Sequence, residues 1–214
     1  MTGLKPKVMI ALLAAGESRR FGGAKLAEPL SQSGAGREDQ QALDEPLILA
    51  QYRTLELVAE ALDASLVVIT GGHQQRIEAC LPTSALKVHN PDWPLGLAHS
   101  IATAAQYAKA QGAESLLIAL GDQPALASQD YLALFSARRR ENTRVCAYYE
   151  LTLGAPALFC HDDFKSLMAL SGDRGAKALL TRLYREGQLI ALAMPEAAVD
   201  IDTRSQLEAY RARC

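Results

Sequence analysis

Small and basic residues follow one another closely near the start of the chain. The segment over residues 13–25 has the sequence LAAGESRRFGGAK and comes directly after an apolar run. Small side chains at Ala14, Ala15 and Gly16 allow backbone amides to approach a ligand closely and to bind anionic oxygens. The two arginines and the lysine add guanidinium and ammonium donors for phosphate oxygens. This segment, here called the phosphate loop, therefore predicts a triphosphate-binding site.

Two better-known glycine motifs do not fit the phosphate loop. A Walker loop needs Gly-Lys-Ser/Thr, whereas Ala24 separates Gly23 from Lys25 and Leu26 follows. A dinucleotide fingerprint needs three glycines in the G-x-G-x-x-G spacing, which the residues around Gly16 lack. A plain strand-to-helix turn with solvated basic residues is the alternative, but so many cations in one short turn favour a bound anion.

Three carboxylates further along the chain are candidates for metal binding. Asp122 follows the apolar run at residues 115–120, where a carboxylate is costly to desolvate unless a cation meets it. Mg²⁺ that also bridges phosphate oxygens is a suitable partner for it, and a turn or cap aspartate is the alternative. Asp200 and Asp202 alternate in an extended segment, so they share one side and repel each other unless a cation or basic group lies between them.

The elements that must position these groups are visible in the apolar pattern. Apolar runs predict buried strands over residues 7–13, 65–70, 86–89, 115–120, 145–149 and 189–194. Helical spacing predicts helices that follow Pro46, Gly96, Ala127 and Thr203, and further helices over residues 74–80 and from Ser171 onward. The alternation predicts one α/β domain over residues 1–214, with a mostly parallel sheet covered on both faces. Residues 31–45 are polar and aperiodic, which predicts a loop.

The composition gives information about the kinds of molecule that the protein binds. The 22 basic and 24 acidic residues give a formal charge of −2, so no basic surface indicates nucleic acid or an anionic membrane. The apolar runs are too short to cross a bilayer, and the first residues lack the apolar region of a signal peptide, which favours a cytoplasmic protein. The four cysteines are widely separated, so neither a disulfide framework nor a zinc site is expected.

The phosphate loop matches the pattern L-A-A-G-x-S-x-R-[MF]-G-x-x-K without a gap, and in this it resembles the MobA-like nucleotidyltransferases. Later segments extend the resemblance to Thr203. They are N-x-x-W-x-x-G-x-x-x-S from Asn90, G-D-Q-P from Gly121, G-A-P from Gly154, G-D-R-G-A-K from Gly172 and D-I-D-T from Asp200. The resemblance implies a three-layer α/β/α, Rossmann-like nucleotidyltransferase domain.

The resemblance also implies roles for particular residues. It implies catalytic roles for Arg20, Lys25 and Asp122, and a Mg²⁺ site on Asp122 completed by Asp200 or Asp202. Together with the strand-end positions it predicts nucleotide contacts from Leu13, Ala14, Ala15, Gly16, Ser18, Arg19, Arg20, Lys25, Thr70, Gly71, His73, Asn90, Gly96, Ser100 and Asp122. It implies contacts with the second substrate from Gln123, Pro124, Gly154, Pro156, Gly172, Asp173 and Gly175. An ordinary loop histidine remains open for His73, and a plain turn for Gly154 and Pro156.

The branch that the sequence resembles most is molybdenum cofactor cytidylyltransferase. It implies transfer of CMP from CTP to the terminal phosphate of the molybdenum cofactor, with release of pyrophosphate and a molybdenum enzyme as recipient of the product. The choice of CTP rests on Ala15, since the guanylyl branch carries Ala-Gly-Gly at this place. A guanylyltransferase, another cytidylyl- or sugar-phosphate transferase, and a non-catalytic carrier of the cofactor are the alternatives.

Overall fold

A computed structural model of the chain describes residues 7–30 and 45–213. The predicted loop at residues 31–45 lies outside the described residues, apart from Glu45. The described residues form one seven-stranded sheet. Its strands are β1 (Val8–Ala14), β2 (Ser65–Thr70), β3 (Leu86–His89), β4 (Ser115–Leu120), β5 (Arg144–Tyr149), β6 (Thr152–Cys160) and β7 (Leu189–Ala193).

The strand order is β3-β2-β1-β4-β6-β5-β7. All neighbouring strands run parallel except β6, which is antiparallel to both β4 and β5. The prediction of a mostly parallel sheet is confirmed. The strand β1 is buried along its whole length at the centre of the sheet, as its uninterrupted apolar sequence indicates.

Helices cover both faces of the sheet. They are α1 (Leu47–Leu62), α2 (Gln74–Ala79), α3 (Leu97–Ala110), α4 (Ser128–Ser136), α5 (Phe164–Met168), α6 (Lys177–Arg185) and α7 (Arg204–Arg211). Alternate residues of β1 enter two separate cores: Ile10 packs with α1, α2, α4 and α7, whereas Met9 packs with α3, α5 and α6. The chain therefore has the three-layer α/β/α arrangement that was expected. No helix in the described part of the chain is long and apolar enough to cross a membrane.

The structure corrects two local predictions. Gly154 and Pro156, predicted to lie in a substrate loop, lie in β6, which pairs with β5 through a turn at Glu150 and Leu151. Both turn residues have positive φ values, 46° and 60°, without the Asn-Gly sequence that usually marks such a hairpin. A register shift in the β5–β6 pairing accommodates Ala155 and Pro156, because a residue without an N–H is tolerated at such an irregularity.

The second correction concerns the start of α6. The sequence pattern placed it at Ser171, but the helix begins at Lys177. Gly172 and Gly175 have φ values of +80° and +55°, which are incompatible with a right-handed helix. Residues 171–176 therefore form a loop, which lies against the N-terminus of α3. The last helix begins with a capping box, in which Gln206 N donates to Thr203 Oγ1 (3.3 Å) and Thr203 N donates to Gln206 Oε1 (2.8 Å).

Candidate active site

A cleft of about 370 Å³ opens at the carboxyl ends of β1 and β4, where ligands bind in open parallel sheets. It brings together thirteen of the residues predicted to have site roles. These are Leu13, Ala14, Ala15, Gly16, Ser18, Arg19, Arg20, Lys25, Gly96, Ser100, Asp122, Asp173 and Asp202. Residues separated by most of the chain thus share one cleft, because β1 and β4 are neighbours in the sheet.

Lys25 lies on the floor of the cleft between two carboxylates. Its Nζ is 2.8 Å from Asp122 Oδ2 and 2.8 Å from Asp202 Oδ1, and the residue is only 8% exposed. Burial by itself would lower the pKa of Lys25, but the two carboxylates outweigh it and hold the pKa above its ordinary value. The ammonium is therefore charged at neutral pH and neutralises part of the negative charge on the aspartates.

Asp202 has a second basic partner. Arg20 Nη2 is 2.6 Å from Asp202 Oδ2, so Asp202 links the phosphate loop to the segment before α7. Partial burial would raise the pKa of Asp202, but hydrogen bonds and charge attraction from Lys25 and Arg20 hold it below its ordinary value. Asp202 is consequently ionised, and it anchors an arginine whose side chain is 75% exposed at the cleft mouth.

Asp200 occupies a different environment. It is absent from the cleft lining, and its surroundings disfavour the ionised carboxylate: partial burial, Asp202 and Asp122 all raise its pKa above the ordinary value. Lys25 and a backbone hydrogen bond act in the opposite direction. Asp202 shares the Lys25 ammonium with Asp122, whereas Asp200 lies near both carboxylates without an ion pair of its own among the described residues. The N–H of Ile201 donates to Asp122 O (3.0 Å), which holds the two acidic segments together.

The arrangement suits a divalent cation shared with a substrate. Within the described residues, no three acidic, histidine or cysteine side chains form a metal-binding cluster. Mg²⁺, however, is commonly held by one or two carboxylates together with substrate phosphates and waters. Asp122 and Asp202 provide two such carboxylates at the floor of the cleft, beside the phosphate loop, so the residues present fit the ion.

The phosphate loop has the backbone conformation of a tight turn. Ser18 has a left-handed φ of 57°, and its carbonyl accepts hydrogen bonds from Phe21 N and Gly22 N, both at 3.0 Å. The Phe21 side chain is buried, and the Arg204 guanidinium lies 4.8 Å from the centre of its ring, which anchors the loop. A Cβ on Gly16 would meet no protein atom within 4 Å, so the backbone there borders open space in the cleft.

The opposite wall of the cleft comes from the segment before α3. Trp93 and Gly96 line it, and Gly96 has a φ of +107°. A Cβ on Gly96 would overlap the Asp173 carboxylate, so glycine is required by both conformation and space. Gly172 O accepts a hydrogen bond from Ala98 N (3.1 Å), and this bond holds residues 171–176 against the wall. Gly172 itself does not line the cleft.

Four residues predicted to contact nucleotide lie outside the cleft lining: Thr70, Gly71, His73 and Asn90. Three of them, Gly71, His73 and Asn90, contact residues that line the cleft. Gly71 packs so tightly that a Cβ would lie 2.6 Å from Trp93 Cβ, and His73 Nε2 is 2.9 Å from Glu17 O. Asn90 is buried and donates to Ser100 Oγ (3.1 Å), which lines the cleft. Thr70 is also buried, with Glu78 as its partner.

A second pocket of about 220 Å³ adjoins the cleft through Leu97 and Leu120. We call it the side pocket. Its walls are mostly apolar, with polar groups from Tyr149, Thr152, Arg174 and Lys177. Of the residues predicted to bind the second substrate, Gly154 and Gly175 line the side pocket and Asp173 lines the cleft. The other four, Gln123, Pro124, Pro156 and Gly172, line neither.

Sequence reasoning did not assign site roles to several lining residues. Glu17 lines the cleft and forms an ion pair with Arg19 at 2.6 Å, and Leu97 lines both pockets. Tyr149 lines the side pocket, and partial burial and the nearby Asp200 and Asp122 raise its pKa. The position of Tyr149 at the carboxyl end of a predicted strand was a usable signal, because ligands meet strands there.

A cleft at the carboxyl ends of parallel strands, with small residues, basic side chains and paired carboxylates, is typical of nucleotide-binding α/β enzymes. Comparison with known proteins identifies the family within this class. Residues 10–187 match the MobA-like NTP transferase domain. The chain belongs to this family of nucleotidyltransferases.

The chain is also similar to individual proteins in sequence or in structure. The purine catabolism protein PucB of Bacillus subtilis (strain 168) is 31% identical over 217 residues, covering 96% of this chain and 97% of PucB. A nucleotidyl transferase from Methanothermobacter is similar in structure, with a TM-score of 0.75, 21% identity and coverage of 97% of each chain. Rv0371c from Mycobacterium tuberculosis, solved in complex with manganese, has a TM-score of 0.64 and 19% identity over 98% of this chain and 100% of its own. The two structural similarities show a shared fold.

Proposed function

We propose that this protein transfers CMP from CTP to the terminal phosphate of the molybdenum cofactor and releases pyrophosphate. The observation that carries the proposal is the position of Lys25 between Asp122 and Asp202, beside the phosphate loop. Paired carboxylates and a buried ammonium at the end of a phosphate-binding loop suit phosphoryl-type transfer, in which positioning and charge neutralisation lower the barrier.

The residues of the cleft have different roles in this proposal. Backbone amides of the phosphate loop, together with Arg19 and Arg20, bind the β- and γ-phosphates of CTP. Asp122 and Asp202 would hold Mg²⁺, and the bound ion would draw negative charge from the α-phosphate. The manganese complex of the structurally similar Rv0371c supports a divalent cation in this fold. Lys25 keeps both carboxylates oriented through its two 2.8 Å contacts.

The reaction needs no covalent enzyme intermediate. An oxygen of the acceptor phosphate attacks the α-phosphorus of CTP in line, forming the new P–O bond. The bond from the α-phosphorus to the bridging oxygen breaks, and pyrophosphate leaves with those electrons. A phosphate monoester is largely ionised near neutral pH, so the acceptor requires no general base. The cleft residues therefore contribute by neutralising the charge of the phosphates and by orienting the two substrates.

The side pocket supports binding of an anionic acceptor next to the nucleotide. It adjoins the cleft through Leu97 and Leu120, so an acceptor bound there would lie next to the nucleotide, and Arg174 and Lys177 in its lining would provide positive charge. Apolar walls suit the ring system of a pterin. The recipient of the product would be a molybdenum enzyme. A carrier that only holds the cofactor has no use for the separate cleft with its carboxylates, which disfavours the carrier alternative.

One observation favours a second candidate. The side pocket has a volume of only about 220 Å³, which suits a smaller phosphate-bearing acceptor such as a sugar phosphate. The chain would then be a different cytidylyl- or sugar-phosphate nucleotidyltransferase with the same cleft. The choice between CTP and GTP rests on Ala15 alone.

Pyrophosphate release separates these candidates. We would measure it with Mg²⁺ and each of CTP, GTP, ATP and UTP, with and without molybdenum cofactor extracted from a molybdenum enzyme, and with sugar phosphates as alternative acceptors. The proposal predicts release with CTP only when the cofactor is present. Release that depends on GTP or on a sugar phosphate supports the corresponding alternative. Cofactor binding without release from any nucleotide would favour the carrier.

A further inference from the structure

Gln123 follows the candidate metal ligand Asp122 in the chain but lines neither the cleft nor the side pocket. It is 1% exposed. Its Nε2 donates to Ala155 O at 3.1 Å and to Ala197 O at 2.7 Å. One amide group therefore ties together three segments: the turn after β4, the strand β6, and the turn Pro195–Ala198 that precedes Asp200.

The two carbonyls determine how the amide is oriented. In the opposite orientation, Oε1 would face two carbonyl oxygens, which is repulsive. The observed orientation uses both hydrogens of Nε2 but leaves the buried Oε1 with no partner among the described residues. An unpaired buried oxygen is unfavourable, so the two hydrogen bonds to Ala155 and Ala197 must outweigh that cost.

A main-chain bond runs beside this amide. The N–H of Ile201, between Asp200 and Asp202 in the chain, donates to Asp122 O at 3.0 Å. Ile201 is itself buried. Two neighbouring connections, from Asp122 O and from the Gln123 amide, thus hold the segment that carries Asp202 against the end of β4. These connections join the segments that carry the two carboxylates.

We propose that Gln123 is a positioning residue, which sets the spacing of Asp122 and Asp202 and thereby the affinity of this pair for a divalent cation. The inference rests on the proposed function, in which the two aspartates hold the metal. It replaces the contact with the second substrate that the sequence pattern indicated for Gln123. Groups that orient metal ligands commonly change metal affinity by about 10- to 100-fold when they are removed.

Manganese binding to the full chain tests this inference directly. Free Mn²⁺ would be titrated by electron paramagnetic resonance against the wild type, Asp122→Ala and Gln123→Met, with circular dichroism to verify folding. Met has a volume close to that of Gln but makes no hydrogen bond to Ala155 or Ala197. We expect Gln123→Met to weaken Mn²⁺ binding by about tenfold or more. At saturating metal, its KM for CTP should change little and its kcat should fall.

Gln51→Met is the matched control. Gln51 is also buried, but its Oε1 accepts a hydrogen bond from Tyr131, and neither residue lines the cleft. This variant should bind Mn²⁺ as the wild type does. The double variant Gln123→Met with Asp202→Ala should bind no more weakly than Asp202→Ala alone, because Gln123 acts through the spacing of the pair.

The outcomes separate this inference from the proposed function. Wild-type affinity for Mn²⁺ in Gln123→Met, combined with a loss in Asp122→Ala, would overturn the positioning role and leave the metal site standing. Equal Mn²⁺ binding by the wild type and Asp122→Ala would overturn both. If Gln123→Met does not fold, the more conservative Gln123→Glu is measured, which keeps the side-chain length but presents an oxygen to at least one carbonyl. Unchanged Mn²⁺ affinity in that variant would also contradict the inference.

Discussion

The cleft and the side pocket of this molecule are built differently. The floor and one wall of the cleft come from the ends of the buried parallel strands β1 and β4 and from one contiguous segment, the phosphate loop, and the segment before α3 forms the opposite wall. The side pocket combines an antiparallel strand, a hairpin with two positive φ values and the loop at residues 171–176. A rigid strand edge suits the triphosphate, which is the same group in every nucleotide. The more irregular side is the one where an acceptor would be distinguished, so changes on the two sides should alter different kinetic constants.

The largest effect is expected on the cleft side, from Asp122→Ala. Loss of this carboxylate removes one of two candidate metal ligands, and we expect kcat to fall by about 10³-fold or more. The side chain is 24% exposed, so the fold should remain intact. Steady-state kinetics with circular dichroism would check this. Asp130→Ala, at the start of α4, is the control and should keep its activity. Full activity of Asp122→Ala would contradict the assignment of Asp122.

The next effect is expected on the side pocket, from Gly154→Ala. A Cβ on Gly154 would lie 2.5 Å from the Tyr149 hydroxyl, so the tyrosine must move into the pocket. We expect KM for the acceptor to rise about tenfold while KM for CTP stays the same, since only the acceptor is displaced. Addition of Tyr149→Phe removes the clashing oxygen and should restore part of the loss. An equal rise in both KM values would show that the two sides are not separate.

A smaller effect is expected from Arg174→Gln at the rim of the side pocket. Loss of one exposed guanidinium should raise KM for an anionic acceptor by about 3- to 10-fold and leave KM for CTP unchanged. Arg182→Gln is a matched control on the neighbouring helix, because Arg182 pairs with Glu186 and does not line the side pocket. Similar KM values in the two variants would remove Arg174 from acceptor binding.

The smallest effect is a change in stability from Asp200→Asn. The pKa of Asp200 is higher in the folded chain than in the unfolded chain, because of partial burial and the neighbouring Asp202 and Asp122. Ionisation therefore costs more when the chain is folded, and this residue lowers stability progressively as pH rises from the ordinary pKa through the raised one. Asp200→Asn should raise Tm slightly at pH 7 and have no such benefit at pH 3. Thermal melts at the two pH values check the prediction, and a lower Tm at pH 7 would contradict it.

The contrast between the two sides also explains how far the sequence could predict the structure. The phosphate loop was recognisable because its small and basic residues are contiguous and follow an uninterrupted apolar strand. Eight of its residues were assigned site roles, and all of them line the cleft. The side pocket was harder to predict. Pro156 argues against a central strand, and the turn at Glu150 and Leu151 lacks the usual hairpin residues.

Other features depended on tertiary contacts that no local pattern contains. The ion pairs that join Asp122 and Asp202 both come from Lys25, which lies far away in the sequence. Gln123 is next to a candidate metal ligand, which suggested a ligand contact, whereas its amide is buried between two carbonyls. Burial and hydrogen-bond partners of this kind are set by packing and cannot be derived from spacing. The roles of the site residues and the preference for CTP remain predictions.

Transfer of a radiolabel tests the central claim most directly. CTP labelled at the α-phosphate would be incubated with the wild-type chain, Mg²⁺ and molybdenum cofactor, and the products separated chromatographically. The proposed function predicts that the label appears on the cofactor as a CMP adduct, in an amount equal to the pyrophosphate released. Label that stays in CTP, or appears only as free CMP, would contradict transfer to this acceptor.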